Sequence, residues 1–148
     1  MLRDYVQEND ASRRELQAFA ASLSDDDLSR NIGNGWTVSS TLCHLAFWDR
    51  LTLRRLREWQ STGFSSDHLT ALGVTTINDA ARQISEAVPG REAARLAQEN
   101  AAAIDTEVAR LSDEWIGRID ANGFERVLKR SLHRREHLRR LREALGRA

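Results

Sequence analysis

Apolar residues recur every three or four positions along most of this chain, and runs that alternate strictly between apolar and polar are hard to find, so the pattern predicts helix throughout. A first helix is predicted from about Leu2 to Ser22. In the segment LSDDDLSR that follows, Ser24 can cap a short turn whose N-terminus favours the run of aspartates. NIGNG then interrupts the periodicity. A second long helix is predicted from Thr37, an N-cap candidate, to about Trp59, with Val38, Leu45, Trp48, Leu56 and Trp59 in one buried stripe. STGFSSDHLTALGVTT, residues 61–76, reads as a long loop rich in serine and glycine, either a crossover or a cover over a site. A further helical stretch, INDAARQISEAV, begins near Thr76 and is stopped by Pro89 and Gly90. The third long helix is predicted over about Arg91 to Leu111. The connector SDEWIGRIDANG leads from it to a fourth, from about Phe124 to Leu145.

Four long amphipathic helices with a long connection between the second and third specify an all-α four-helix bundle, in which neighbours can run parallel as well as antiparallel. The 148 residues, 41% hydrophobic and 30% charged, suit one domain with a real core, and no repeat, low-complexity tract or linker divides them. Residues 1–148 are therefore read as one domain.

Basic and acidic residues number 22 each, so no global field draws the chain to nucleic acid or to an anionic membrane. The balance is local, however. From Glu125 to Ala148 nine basic residues face three acidic ones, and the rest of the chain is correspondingly acidic. This basic helix lacks interleaved aromatics, so surface ion pairing is expected of it before nucleic-acid binding. Cys43 is the single cysteine, which excludes an internal disulfide and a cysteine-rich zinc module, and it reads as a small helix residue. MLRDYVQEND has no apolar core of the signal-peptide kind, and no window holds eighteen uninterrupted apolar residues. A soluble, cytoplasmic protein without membrane partners is expected.

The candidate chemistry lies in the histidines. His133 and His137, in SLHRREHLRRL, stand about 40° apart on one side of the fourth helix, a spacing that lets two imidazoles converge on one cation. The arginines around them, Arg134, Arg135 and Arg140, equally allow a solvated cationic face. The two histidines fall at the margin of the stripe formed by Val127, Leu138, Leu141 and Leu145. His44, in HLAFWDR, falls about 20° from Leu51 and 40° from Trp48, inside the buried stripe of the second helix, and so needs a partner. That partner is either a carboxylate or carbonyl, or the other two histidines across the bundle. Three neutral imidazoles suit zinc, nickel or iron and leave coordination positions open.

At these residues the chain resembles the DinB-like superfamily of metal-binding four-helix bundles, which includes the N-terminal domains of mycothiol-dependent maleylpyruvate isomerases and the bacillithiol transferases. GWTVSSTLCHLAFWD is similar to the family's tryptophan, helix cap and His-Leu-Ala segment, and the last helix carries its HxxxH. LSDDDLSR and INDAARQ resemble the isomerase branch. The resemblance implies that His44, His133 and His137 hold one divalent ion, zinc or nickel, with waters at the remaining positions. It also implies a homodimer, and an activity among thiol S-transferases and isomerases that join a low-molecular-weight thiol to a small electrophile. Because the sequence ends after the fourth helix, where the mycothiol-dependent isomerases carry a further domain, maleylpyruvate isomerisation is not expected.

In thiol transfer the cation stabilises a thiolate that attacks the electrophile, and no protein nucleophile is needed. The alternatives are a metal-dependent hydrolase using the same three histidines, and a metal-binding stress or interaction protein without turnover. Asp49 projects toward the apolar side of the second helix, and pairing with a buried arginine is expected of it before catalysis. Glu136 is expected in a surface ion pair. His68, in the long loop, is read as solvated rather than as a fourth ligand. Trp36 is expected to pack at the helix entry, Trp48 and Trp59 in the core, with Trp48 also placed to line a pocket, and for Trp115, in a connector, a packing role is expected before a cover over a bundle end or a dimer surface.

Overall fold

The computed structural model describes residues 3–147, so the predicted helix start at Leu2 lies outside it. The described residues are 77% helical. In order, the described elements are α1 (Asp4–Ala21), α2 (Asp25–Ser29), β1 (Asn31–Gly33), β2 (Trp36–Thr37), α3 (Val38–Thr62), α4 (Ala71–Ser85), α5 (Gly90–Ala109), α6 (Asp113–Ala121), α7 (Glu125–Leu128) and α8 (Arg130–Ala144). None of the described helices is long and apolar enough to cross a membrane.

Both predicted caps form. Ser24 accepts from the Asp27 amide while Asp27 accepts from the Ser24 amide, and Thr37 makes the same reciprocal box with Ser40 at the start of α3. NIGNG, expected only to break the pattern, closes a small hairpin, with Asn34 and Gly35 at φ 54° and 78° as a tight two-residue turn requires. Helix α4 starts at Ala71 rather than near Thr76, because the Thr70 hydroxyl accepts from the Gly73 amide and caps it inside the serine-rich stretch. The connector after α5 is itself helical: Ser112 caps α6, where Trp115 packs against the core and under the Arg118 guanidinium.

The predicted fourth helix is broken at Lys129, whose ψ of 68° separates α7 from α8. Asn9 of α1 supports the break from both sides. Its amide donates to the Leu128 carbonyl at 2.7 Å and its Oδ1 accepts from the Ser131 amide at 2.9 Å.

Side-chain pairings give the direction of each helix. Between α3 and α5, Arg50 meets Asn100 and Arg57 meets Glu107, so the two run parallel. Between α3 and α8, His44 meets His133 while Asp49 meets Arg130, an antiparallel pair. α1 is parallel to α8, through Asn9 to Ser131 and Ser22 to Arg147, and antiparallel to α5, through Tyr5 to Val108 and Leu23 to Arg91. Cyclic order is therefore α1, α5, α3, α8. Returning the chain for a parallel α5 means retracing a 25-residue helix, roughly 37 Å. The loop 63–70 and the 15-residue α4 cover that length.

The core is divided. One apolar cluster contains Leu16, Leu42, Leu45, Ala97 and Leu138, and a second contains Leu53, Leu56, Trp59, Ile104 and Val127. Between them lies a buried polar layer of Asn9, Ser12, Asp49, Arg130, Ser131 and Arg134, closed by Asp105. Arg134 donates to both Asp105 oxygens, at 2.8 and 2.6 Å, and lies 3.4 Å from Asp49, while the Arg130 Nε donates to Asp49 at 2.9 Å. Asp49 is thus an ion-pair residue, as expected. Arg134 is not the solvated cation the sequence suggested, because its side chain is fully buried.

Candidate metal centre

The Thr37 cap starts α3 so that His44 emerges two turns into the helix, facing α8 beside the polar layer. His133 and His137 come from successive turns of α8. The structure brings all three together: each offers a ring nitrogen, and these atoms lie within 4.8 Å of one another. His44 Nε2 is 3.1 Å from His133 Nε2, and the ring centroids of His44 and His137 are 4.6 Å apart. Trp36, in β2, stands edge-on to His44 at 5.4 Å, so the hairpin that presents it also walls one side of the cluster.

All three imidazoles are held neutral. Burial pushes His44 down to about 3, with repulsion from His137 and Arg140 adding to it. Burial likewise lowers His137 to about 4, where the pull of Glu136 is opposed by Arg140 and Arg126. His133 falls well below the ordinary histidine range, through burial first and the nearby Arg130 second. The neutral form is the one that ligates a divalent ion. The buried His133 Nδ1 has no hydrogen-bond partner among the described residues, so this ring is not fixed by a conventional polar contact on that side. Two ligands on a tetrahedral zinc stand roughly 3.3 Å apart for bonds of about 2.0–2.1 Å. The 3.1 Å between His44 and His133 is close to that separation. The donor set, with one pair already near that separation, therefore fits one divalent ion.

The cluster lies in the wall of a cavity of about 550 Å³ between α3, α4 and the α7–α8 segment. Trp48 is only half-buried and lines this cavity, its indole N–H donating to Asn78 of α4 at 2.8 Å. His68 also lines it, but lies outside the triad: its ring stacks on Phe124 at 3.9 Å and its Nε2 is 3.3 Å from the Asn122 carbonyl. Glu136 pairs with Arg140 and Arg126 at the rim, as expected of it. Cys43 faces a separate apolar pocket, and burial raises its thiol above the ordinary range, which suits a packing role.

Sequence reasoning missed Arg55, Asn78, Arg126 and Arg130 as cavity residues. Arg130 and Arg134 had a signal. Arg134 falls between Leu138 and Leu141 on the wheel, within about 40° of each, in the middle of the apolar stripe rather than opposite it.

No curated protein and no solved structure matches the chain. The profile of the DinB superfamily matches residues 8–147, a span that takes in the hairpin, the capped α3 with His44 and the paired histidines of α8. With nearly its whole length matched in this way, the chain belongs to the DinB superfamily.

Proposed function

We propose that the protein is a metal-dependent enzyme in which His44, His133 and His137 hold one zinc or nickel ion and a low-molecular-weight thiol is joined to a small electrophile. One observation carries this reading: three neutral ring nitrogens converge within 4.8 Å in the wall of a cavity large enough for small molecules. An ion held there supplies positive charge that stabilises a thiolate at neutral pH. The chain's own residues supply the rest. Neutral imidazoles compete with no proton for the ion, Trp36 and Trp48 shield it from water on the α3 side, and Arg126 and Arg140 add positive potential beside it. Leu69 and Leu72, neighbouring exposed apolar side chains at the start of α4, support a homodimer, checked by sedimentation.

Elemental analysis of freshly purified protein tests the site. Wild type is expected to carry one zinc or nickel per chain, and His44→Ala, His133→Ala and His137→Ala are each expected to lose it while staying helical by circular dichroism. A His137→Ala variant that keeps stoichiometric metal at wild-type affinity refutes the assignment. A screen of thiols against electrophiles with the loaded protein then separates transfer from hydrolysis.

A further inference from the structure

The cavity wall carries more positive charge than it neutralises. Of its four arginines, Arg130 is balanced inside the polar layer, where Arg130 and Arg134 meet Asp49 and Asp105. The other three, Arg55, Arg126 and Arg140, share one carboxylate. Glu136 accepts from Arg140 at 2.8 Å and lies 3.4 Å from Arg126. Arg55 has no acidic partner among the described residues. Its guanidinium sits 5.5 Å from the Trp59 ring centroid and 5.3 Å from that of Phe124, and its one polar contact among the described residues is a long 3.4 Å approach to the Asp67 carbonyl.

Aromatic rings hold a guanidinium by its faces without cancelling its charge, which leaves the N–H edge available for a carboxylate. Position adds to this. Arg55 follows His44 by eleven residues on α3, which places it about 16 Å further along the axis and within roughly 20° of the same face. Trp48 and Thr52 lie between them, and Val74, Val127 and Phe124 add apolar surface to the lining. The cavity thus runs from three neutral imidazoles to an unpaired cation along a wall that mixes apolar side chains with Thr52 and Asn78.

We propose that this cavity takes an extended organic acid whose carboxylate pairs with Arg55 while its reacting end lies at the histidine triad. The proposal rests on the reading that the triad is where the reaction occurs, and it names the substrate class of that site. Planarity matters here, since a guanidinium presents two parallel donors to a carboxylate and an ammonium does not.

Adipate and its uncharged diamide, adipamide, titrated calorimetrically into the full chain at low salt, test it. Wild type is expected to bind adipate and not adipamide. Arg55→Gln is expected to weaken adipate by about tenfold or more, as loss of a charge-assisted pair requires, with zinc content and unfolding midpoint unchanged. Arg55→Lys, which keeps the charge and loses the fork, is expected to fall between the two, and it serves as the second variant if Arg55→Gln folds poorly. Equal binding of adipate by wild type and both Arg55 variants overturns the proposal. So does equal affinity for adipate and adipamide, or failure of wild type to bind adipate at roughly 10 mM. Arg55-dependent adipate binding by a protein that never holds zinc or nickel supports the acid-binding cavity and sinks the metal reading. Stoichiometric metal with adipate binding indifferent to Arg55 does the reverse.

Discussion

Asp49→Ala removes the carboxylate on which the buried polar layer closes. Asp49 is 1% exposed, with one oxygen accepting from Arg130 at 2.9 Å and the other 3.4 Å from Arg134. Arg134 keeps its two bonds to Asp105, so the unpaired charge falls on Arg130, itself 5% exposed, whose remaining acceptor is the Arg126 carbonyl. Breaking a buried ion pair from one side costs about 3–5 kcal/mol, against roughly 0–1 kcal/mol for an exposed pair. Glu99→Ala, which removes one of the two exposed partners of Arg95 and leaves Glu92, is the control for an exposed pair. Urea unfolding followed by tryptophan fluorescence and circular dichroism measures both, and with a slope of about 2 kcal/mol/M the Asp49→Ala midpoint should drop by roughly 2 M. Asp49→Asn keeps an accepting oxygen and loses the charge, so it should fall between wild type and Asp49→Ala. Added salt should not rescue either variant, because buried charges are screened little. An Asp49→Ala loss under about 1 kcal/mol, or one no larger than that of Glu99→Ala, would refute the polar layer as a structural element.

Three further outcomes are expected. Metal-free protein should lose stability as pH falls from about 6.5 toward 5: the unfolded chain protonates its imidazoles there while the folded chain holds His44 neutral to about 3 and His137 to about 4, so the unfolded state binds more protons. The slope approaches about 1 kcal/mol per pH unit for each imidazole, and a pH-independent melting midpoint over this range in metal-free protein would contradict it. Asn9→Ala should cost about 2 kcal/mol or more, because it strips partners from the Leu128 carbonyl and the Ser131 amide at once; hydrogen exchange at Ser131 should accelerate, and unchanged exchange there would count against the role of Asn9 at the break. Zinc at about a hundred times its dissociation constant should raise folding stability by roughly 2.7 kcal/mol in wild type and not in His133→Ala, read as a shift in melting midpoint.

The long helices and the helix faces on which the histidines stand were legible in local periodicity, while the meeting of all three was what the family resemblance implied. Thr37 announces the start of α3, the wheel puts His44 on its buried face, and the HxxxH spacing puts two imidazoles on one side of α8. The hairpin had a local signal that periodicity reasoning passed over, since Asn34-Gly35 is the dipeptide a tight two-residue turn favours. Helix α4 was shortened for a different reason. Its apolar residues Leu72 and Ile84 remain exposed, so no buried stripe marked its first turns, and Gly73 within them reads as a breaker. The break at Lys129 had no local signal at all. It depends on Asn9, more than a hundred residues away, accepting and donating at the two freed backbone groups. Arg55 escaped similarly, because an arginine on a helix margin reads as solvated until Phe124 and Trp59 are seen beside it.

The polar layer and the histidine cluster share one seam, and this gives the layer a second consequence. Helices α3 and α8 run antiparallel there, with His44 opposite His133 and Asp49 opposite Arg130. Apolar side chains along such a seam tolerate sliding, because burial is non-directional. An ion pair does not. A slip of one helical turn, about 5.4 Å, would part Asp49 from Arg130 and His44 from His133 together. The directional contact that costs most to bury therefore fixes the register in which the imidazoles meet, and Asn9, by holding the chain on both sides of Lys129, fixes the phase in which α8 enters it. If so, Asp49→Leu combined with Arg130→Met should recover stability relative to Asp49→Ala, since no charge is left unpaired, and yet hold metal more weakly than wild type because the register is no longer locked. Full recovery of both stability and metal affinity in that double variant would show that apolar packing alone aligns the two helices.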